Sequence, residues 1–322
     1  MKYYIGIDLG GTNIAVGVVN ENFEIVAKCS RKTLPERGNT AIFEDMAGAS
    51  FDAVKSAGLT MDDIEWVGIG IPGSINPVTG IIEYSNNIKF EQVPITKEME
   101  SRLNKKCYIG NDANVAAYGE YVAGCGKGST NFVAITLGTG VGSGIIIDGK
   151  IYTGSNFAGA ELGHTVIHID GEPCSCGRNG CWEAYASATG CIRQTKRAMR
   201  ENPDSLLWEV CGNNESAVSA RTTFDAMRKG DEVAKQVVDK YITYISEGLV
   251  NVINIFQPEK ICIGGGVCNE GDTILEPIRK FVGDLRYSKN STVQTEILRA
   301  TLGNDAGIIG AALLGKLYAS EN

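Results

Sequence analysis

The chain has 322 residues, 43% of them hydrophobic and 21% charged, with 8 prolines. That mixture is enough to bury a sizeable core and excludes a disordered or fibrous chain; at about 150 residues per domain the length predicts two domains. The 30 basic and 38 acidic residues give a formal charge of −8, with no run of Lys or Arg, so no basic face is available to nucleic acid. Glycine is the outlier, with 40 residues against a usual share of about 7%. There is no G-X-Y period, so these glycines are expected at turns, at close backbone contacts or against ligands.

The N-terminus enters a strand pattern at once, without the apolar core of a signal peptide. The long uncharged stretch Ser129 to Ile147 is broken by Gly138, Gly140, Gly142 and Gly144, and reads as a β-hairpin rather than a membrane helix. Ten cysteines without a secretion signal predict reduced thiols in a cytoplasmic protein.

In chain order, Tyr3 to Val19 reads as strand, glycine turn, strand, and a third strand follows around Glu24 to Cys29. Thr40 to Gly58 has helical spacing, with Ile42, Met46, Ala49, Ala53 and Val54 on one side. Trp66 to Ile71 is a buried strand stopping at Pro72-Gly73. Thr96 to Leu103 is a short helix, and Cys107 to Gly110 a strand leading into Asn111-Asp112. The second half opens as the first does: laying Ile5–Val19 over Val133–Ile147 sets Ile7 on Ile135, Leu9 on Leu137 and Gly10 on Gly138. An internal duplication accounts for that match. Helical spacing then runs through much of Ala184 to Ile255, with a polar break at Gly212-Asn213-Asn214. Lys260 to Ile263 is a strand, and Asp305 to Tyr318 a last helix. Strands alternating with helices define an α/β fold.

Three glycine turns follow apolar strands: Gly10-Gly11-Thr12-Asn13, Gly138-Thr139-Gly140 and Gly264-Gly265-Gly266. Each alone is explained as a tight turn. Three together, two with a threonine hydroxyl, read as anion-binding concavities for a nucleotide, although neither the P-loop nor the dinucleotide fingerprint is met. Asp8 stands two residues before Gly10; a carboxylate beside a phosphate cradle calls for Mg²⁺, held through water, and otherwise caps the turn.

His164, Cys174, Cys176 and Cys181 offer one imidazole and three thiols in one short segment, with Gly171, Pro173, Gly177 and Gly180 supplying the turns. Four protein ligands suit tetrahedral Zn²⁺ in a structural site with no open position. His168, in an alternating apolar stretch, reads as structural.

Several motifs now fall in one order: Asp8-Leu-Gly-Gly-Thr-Asn, Gly70-Ile-Pro-Gly, Asn111-Asp-Ala-Asn, Leu137-Gly-Thr-Gly-Val-Gly, Glu161-Leu-Gly-His, and Cys174-Ser-Cys-Gly-Arg-Asn-Gly-Cys-Trp-Glu183. In these the chain resembles the ROK family of bacterial sugar kinases and sugar-responsive repressors, most closely its glucokinases. The likeness continues through Gly264-Gly-Gly-Val and Gly303-Asn-Asp-Ala-Gly. It implies the actin-like, hexokinase-type ATPase fold, with two α/β domains around a cleft: 1–115 with 305–322, and 116–304. It also implies Asp112 as general base, Asn87 and Asn111 as sugar ligands, Gly73 as part of the sugar loop, and Glu161, His164 and Glu183 as binders of the sugar hydroxyls. By the same likeness Gly10 to Asn13 and Gly138 to Gly140 are phosphate loops, and Gly265 and Gly266 belong to the adenosine loop.

The chemistry agrees with those roles. A sugar hydroxyl is a weak nucleophile until a carboxylate takes its proton, which contributes about 10²–10⁴-fold. Read locally, Asn111-Asp-Ala-Asn is also a helix N-cap. The expected reaction is transfer of phosphate from Mg-ATP to the 6-hydroxyl of a hexose, glucose being favoured over N-acetylmannosamine, N-acetylglucosamine or allose. Closure of the domains is expected to keep water from replacing the sugar. A repressor is disfavoured, since that branch carries a helix-turn-helix before the first phosphate loop. Neither a membrane nor nucleic acid is an expected partner, and a homodimer is the ordinary assembly for such a kinase.

Overall fold

The computed structural model describes residues 1–85 and 88–319. Strands β1 (Tyr3–Leu9), β2 (Asn13–Asn20) and β3 (Ile25–Lys32) form an antiparallel meander. Helix α1 (Asn39–Ser56) carries the chain to β4 (Ile64–Ile71), which pairs parallel to β1. Three short strands follow, β5 (Ser74–Asn76), β6 (Ile81–Ser85) and β7 (Phe90–Val93), forming a separate antiparallel sheet. They escape the sequence reading because three to five residues are too few for a periodic signal. Helix α2 (Ile95–Leu103), strand β8 (Cys107–Asn111), parallel to β4, and helix α3 (Asp112–Val122) complete this stretch. The larger sheet runs β3-β2-β1-β4-β8. Ile5, Ile7, Leu9, Val67, Ile69 and Ile71 are buried on one face of it, and Gly6 and Gly68 between them leave the other face to close backbone packing.

The second half builds β9 (Phe132–Leu137), β10 (Val141–Ile147) and β11 (Lys150–Ile151), then helices α4 (Trp182–Ala186), α5 (Ala188–Glu201), α6 (Leu206–Val210), α7 (Ala220–Arg228) and α8 (Glu232–Phe256). Strand β12 (Lys260–Gly264), helix α9 (Asp272–Leu285) and β13 (Glu296–Arg299) follow. Their sheet runs β11-β10-β9-β12-β13, with β12 and β13 parallel as β4 and β8 are. Place for place this repeats the first sheet, so the duplication seen in the glycine hairpins extends to the strand order.

Helix α8, of 25 residues, is capped at both ends. Asp231 caps its start, accepting from the Ala234 amide at 2.6 Å, and Gln257 ends it in the left-handed conformation. Trp182 of α4 is fully buried, lies where a side chain on Gly248 would collide with its ring, and donates from Nε1 to Tyr244 O at 2.8 Å. That anchor fixes the neighbours of Trp182, Cys181 and Glu183.

The last helix, α10 (Ala306–Ala319), returns to the first sheet. Gly6 of β1 and Gly68 of β4 let it lie directly on the strands: a Cβ on either would run into the Ile308 or Ala311 carbonyl. Buried Ile308, Ile309, Leu313 and Leu314 each contribute about 1.5–3 kcal/mol against exposure. Trp66 Nε1 donates to Ala312 O at 2.8 Å. The chain divides into two compact units, one of Met1–Val133, Gly144–Ala160 and Thr301–Asn322, the other of Ala134–Ser143 and Glu161–Ala300. The first unit thus runs beyond residue 115. The reason is α3, whose Val115 and Gly119 backbones meet Gly310 and Ala306 of α10 too closely for any side chain on either glycine. No described helix is long and apolar enough to cross a membrane.

Candidate active site

In the first unit, Asp8 is the penultimate residue of β1, Gly10 to Thr12 make the hairpin turn, and Asn111-Asp112 join β8 to α3. Because β1, β4 and β8 are neighbours and parallel, their C-terminal ends bring Asp8 and Asp112 into electrostatic reach. Burial, then the charge of Asp112, pushes Asp8 up to about 6. Burial also raises Asp112, opposed by the Ala113 amide that donates to it at 2.9 Å. Two half-buried carboxylates of one sign in electrostatic reach favour a proton or a cation between them. That chemistry fits a divalent ion near Asp8 and a base at Asp112.

Asn111 caps α3, its Oδ1 accepting from the Ala113 and Asn114 amides at 3.0 and 3.1 Å, while Nδ2 donates to Gly73 O at 3.1 Å. Gly73 has φ +119, a conformation other residues rarely adopt, and a side chain there would strike the Tyr84 carbonyl. Asn111, Asp112 and Gly73 are thus joined in one hydrogen-bonded corner. The first glycine turn closes through Gly10 N to Asn13 O at 2.9 Å. Buried Thr33 secures it, donating from Oγ1 to Gly10 O at 2.6 Å and from its amide to Thr12 O at 3.0 Å. Lys32, opposite Asn13 in the β2–β3 ladder, donates to Asn13 Oδ1 at 2.9 Å and puts a cation beside this turn. Asn87 lies outside the described residues.

In the second unit the matching turn closes through Gly138 N to Gly140 O at 3.0 Å. The start of α5 holds its carbonyls: Ala188 N donates to Gly138 O at 2.8 Å, and Thr189 Oγ1 to Thr139 O at 2.8 Å. Beside it a cavity of about 630 Å³ is lined by Gly138, Thr139, Ser219, Phe224, Gly266 and Asn269 among others, the size of a small-molecule site. Gly265, at φ +93, packs where a side chain would meet the Leu137 carbonyl, so the third glycine segment closes against the strand that feeds the second.

The cysteine segment folds as a knuckle. Val166 bridges Cys181 and Pro173 bridges Asn179, and Trp182 N donates to Thr165 O at 2.8 Å, which brings the His164 turn to Cys181. Cys174 Sγ lies 3.6 Å from His164 Nδ1, Cys176 Sγ lies 3.6 Å from Cys181 Sγ, and all four donor atoms fall within 4.8 Å of one another. Tetrahedral zinc with sulfur at about 2.3 Å sets its ligands about 3.8 Å apart, so the set fits that ion. Burial pushes the Cys181 thiol upward, so a cation is what would keep a thiolate there. Glu183 turns its carboxylate to the second glycine turn, Oε2 accepting from Val141 N at 3.0 Å. Glu161, exposed, precedes the Leu162–His164 turn. His168 stands outside the donor set, its ring 5.9 Å from that of Tyr185.

Residues 4–317 match the ROK family. The chain belongs to it. It is 39% identical over 314 residues to a glucokinase of Thermotoga maritima, covering 97% of this chain and 96% of that one. Among solved structures, a ROK family glucokinase of Streptomyces griseus in complex with glucose and AMPPNP is 34% identical, with a TM-score of 0.81 over 97% of this chain and 98% of that one. A ROK hexokinase of Thermus thermophilus is 29% identical, with a TM-score of 0.84 over 99% of this chain and 100% of the other. The fold is therefore the actin-like, hexokinase-type α/β fold of the ROK sugar kinases.

Four further residues shape these turns without having been assigned a role from the sequence. Thr33 and Lys32 act on the first turn from the next strand, and Ser175 donates to Glu183 Oε1 at 3.2 Å. Gly307, in the first turn of α10, leaves room for the Asp8 carboxylate, which a Cβ there would strike. Two of them carried a signal, Gly307 as the last glycine of the Gly303-Asn-Asp-Ala-Gly motif and Ser175 as the second residue of the Cys174–Glu183 motif.

Proposed function

We propose that this protein transfers the terminal phosphoryl group of ATP to the 6-hydroxyl of a hexose, with glucose as the favoured acceptor. Asp112 carries the reading: a half-buried carboxylate at a helix start, beside a second carboxylate and inside a corner tied by Asn111 and Gly73. Its raised proton affinity is what a base needs to take the hydroxyl proton as the oxygen attacks phosphorus. Asn111 Oδ1 is filled by its two cap bonds, but Nδ2 still has one N–H beyond its bond to Gly73 O, which suits donation to one sugar hydroxyl. Gly73, Glu161, His164 and Glu183 supply further sugar contacts, and such a polar site rejects a sugar that leaves those groups unpaired.

Asp8 would hold Mg²⁺ through water, and that ion would neutralise charge on the transferring phosphoryl group. Gly10, Gly11, Thr12 and Asn13, and likewise Gly138, Thr139 and Gly140, would serve as phosphate loops through their backbone amides. The cavity bounded by Gly265 and Gly266 would take the adenosine. His164, Cys174, Cys176 and Cys181 would hold zinc as a structural ion that fixes the position of His164. The glucose and nucleotide analogue bound by the S. griseus relative support both substrates.

The test is ADP release from Mg-ATP with a panel of glucose, mannose, allose, N-acetylglucosamine and N-acetylmannosamine. Glucose should give the highest kcat/KM. A panel in which no sugar raises ADP release above the blank removes the kinase, and an N-acetylated sugar in first place removes glucose.

A further inference from the structure

Glu183 does more than face a sugar. Its Oε2 accepts the Val141 amide at 3.0 Å, at the end of the second glycine turn, and its Oε1 accepts the Ser175 hydroxyl at 3.2 Å, inside the cysteine knuckle. One carboxylate therefore ties together two loops that are distant in sequence. Gly140 is shaped for the tie, since a Cβ there would strike Oε2. The strut is also mounted rigidly, because the adjacent Trp182 is fully buried and bonded to the α8 backbone.

The knuckle end is the softer one. Residues 174–178 form an exposed to half-buried turn held by Cys174 N to Arg178 O at 2.8 Å and Gly177 N to Cys174 O at 3.0 Å. Ser175 sits between two of the four donor residues, so an ion that fixes Cys174 and Cys176 fixes Ser175 as well. We infer that Glu183 is a positioning residue for the turn Gly138 to Val141, and that metal in the knuckle reaches this turn through Ser175 and Glu183. Calling the turn a phosphate loop rests on the kinase reading; the mechanical link does not.

The experiment is hydrogen exchange of the full-length protein, read by mass spectrometry on peptides covering 138–142 and 10–13, with zinc content measured in parallel. Samples are zinc-loaded, chelator-stripped, and stripped then given zinc alone. Stripping should speed exchange at 138–142 about tenfold, the effect of losing one charge-assisted hydrogen bond, with 10–13 unchanged and zinc alone reversing it. Glu183→Ala should do the same in zinc-loaded protein, and Glu183→Gln, which keeps an acceptor for the Val141 amide, should restore most of the protection. Ser175→Ala, which keeps all four donor residues and the carboxylate but removes the hydroxyl that bonds Glu183 Oε1, should fall between and raise KM for ATP more than KM for sugar. Unchanged exchange at 138–142 after stripping or in Glu183→Ala overturns the link. So does an equal rise at 10–13, which reports general loosening, and so does a protein that takes up no zinc. A failed kinase panel with the exchange pattern intact would remove the activity and leave the strut standing.

Discussion

The two glycine turns occupy the same place in the two sheets, and opposite electrostatics surround them. Beside the first stands Asp8, half-buried and within reach of the Asp112 charge, its carboxyl pushed up to about 6. Beside the second stands Glu183, whose carboxylate has the Val141 amide on one oxygen and the Ser175 hydroxyl on the other. The duplicated hairpin thus carries one carboxylate that costs stability and one whose hydrogen bonds support it. The cost falls where a cation and a transferring proton would be handled, which is where local rules are expected to be broken for function.

The sharpest way to break the contrast is to remove the partner charge. Asp112→Asn should lower turnover at least about 100-fold, as loss of a general base does, and leave sugar binding within a few-fold in calorimetry. It should also lower the Asp8 proton affinity, because the Coulomb contribution of Asp112 is gone. Retained turnover would remove Asp112 as the base. Turnover lost together with sugar binding would assign Asp112 to the corner with Asn111 and Gly73 rather than to proton transfer.

Asp8 gives the next largest effect, and its sign follows from linkage. Its folded affinity lies near 6, above the unfolded carboxylate at about 3.9, so the native state binds the extra proton between those values. Without Mg²⁺, stability therefore falls as pH rises from about 4 to 6, and the full cost stands above that, about 2–3 kcal/mol at most. Asp8→Asn should make the metal-free protein more stable than the parent at pH 7 and no more stable at pH 4, by denaturant titration. Equal differences at the two pH values would show that burial of Asp8 costs nothing.

The sequence made the local parts of this comparison legible and hid the long-range ones. Strong apolar runs placed β1, β4, β9 and β12, and the glycine turns marked the strand ends where Asp8 and Asp112 lie. The knuckle donors were legible because four metal-type side chains fall within one segment. What orients these groups was not, because Thr33 meets Gly10 only once β3 has folded back, Ser175 meets Glu183 only once the knuckle has closed, and Gly248 makes room for Trp182 from another helix. The β5–β7 sheet stayed hidden for a different reason, its strands being too short to show a period.

The smallest effect comes from a matched pair of hydroxyls. Thr33 donates to Gly10 O in the first turn and is fully buried; Thr189 donates to Thr139 O in the second and is exposed. Replacing either by valine keeps the shape and deletes one donor. At Thr33 the Gly10 carbonyl is left without that donor in a buried setting, so Thr33→Val should cost about 1–2 kcal/mol and raise KM for ATP several-fold. At Thr189 water replaces the hydroxyl, and Thr189→Val should stay within about 0.5 kcal/mol. Denaturant midpoints and ATP KM for both variants read the difference directly. Equal costs would mean that burial does not distinguish the two turns, and the contrast would then reduce to the carboxylates alone.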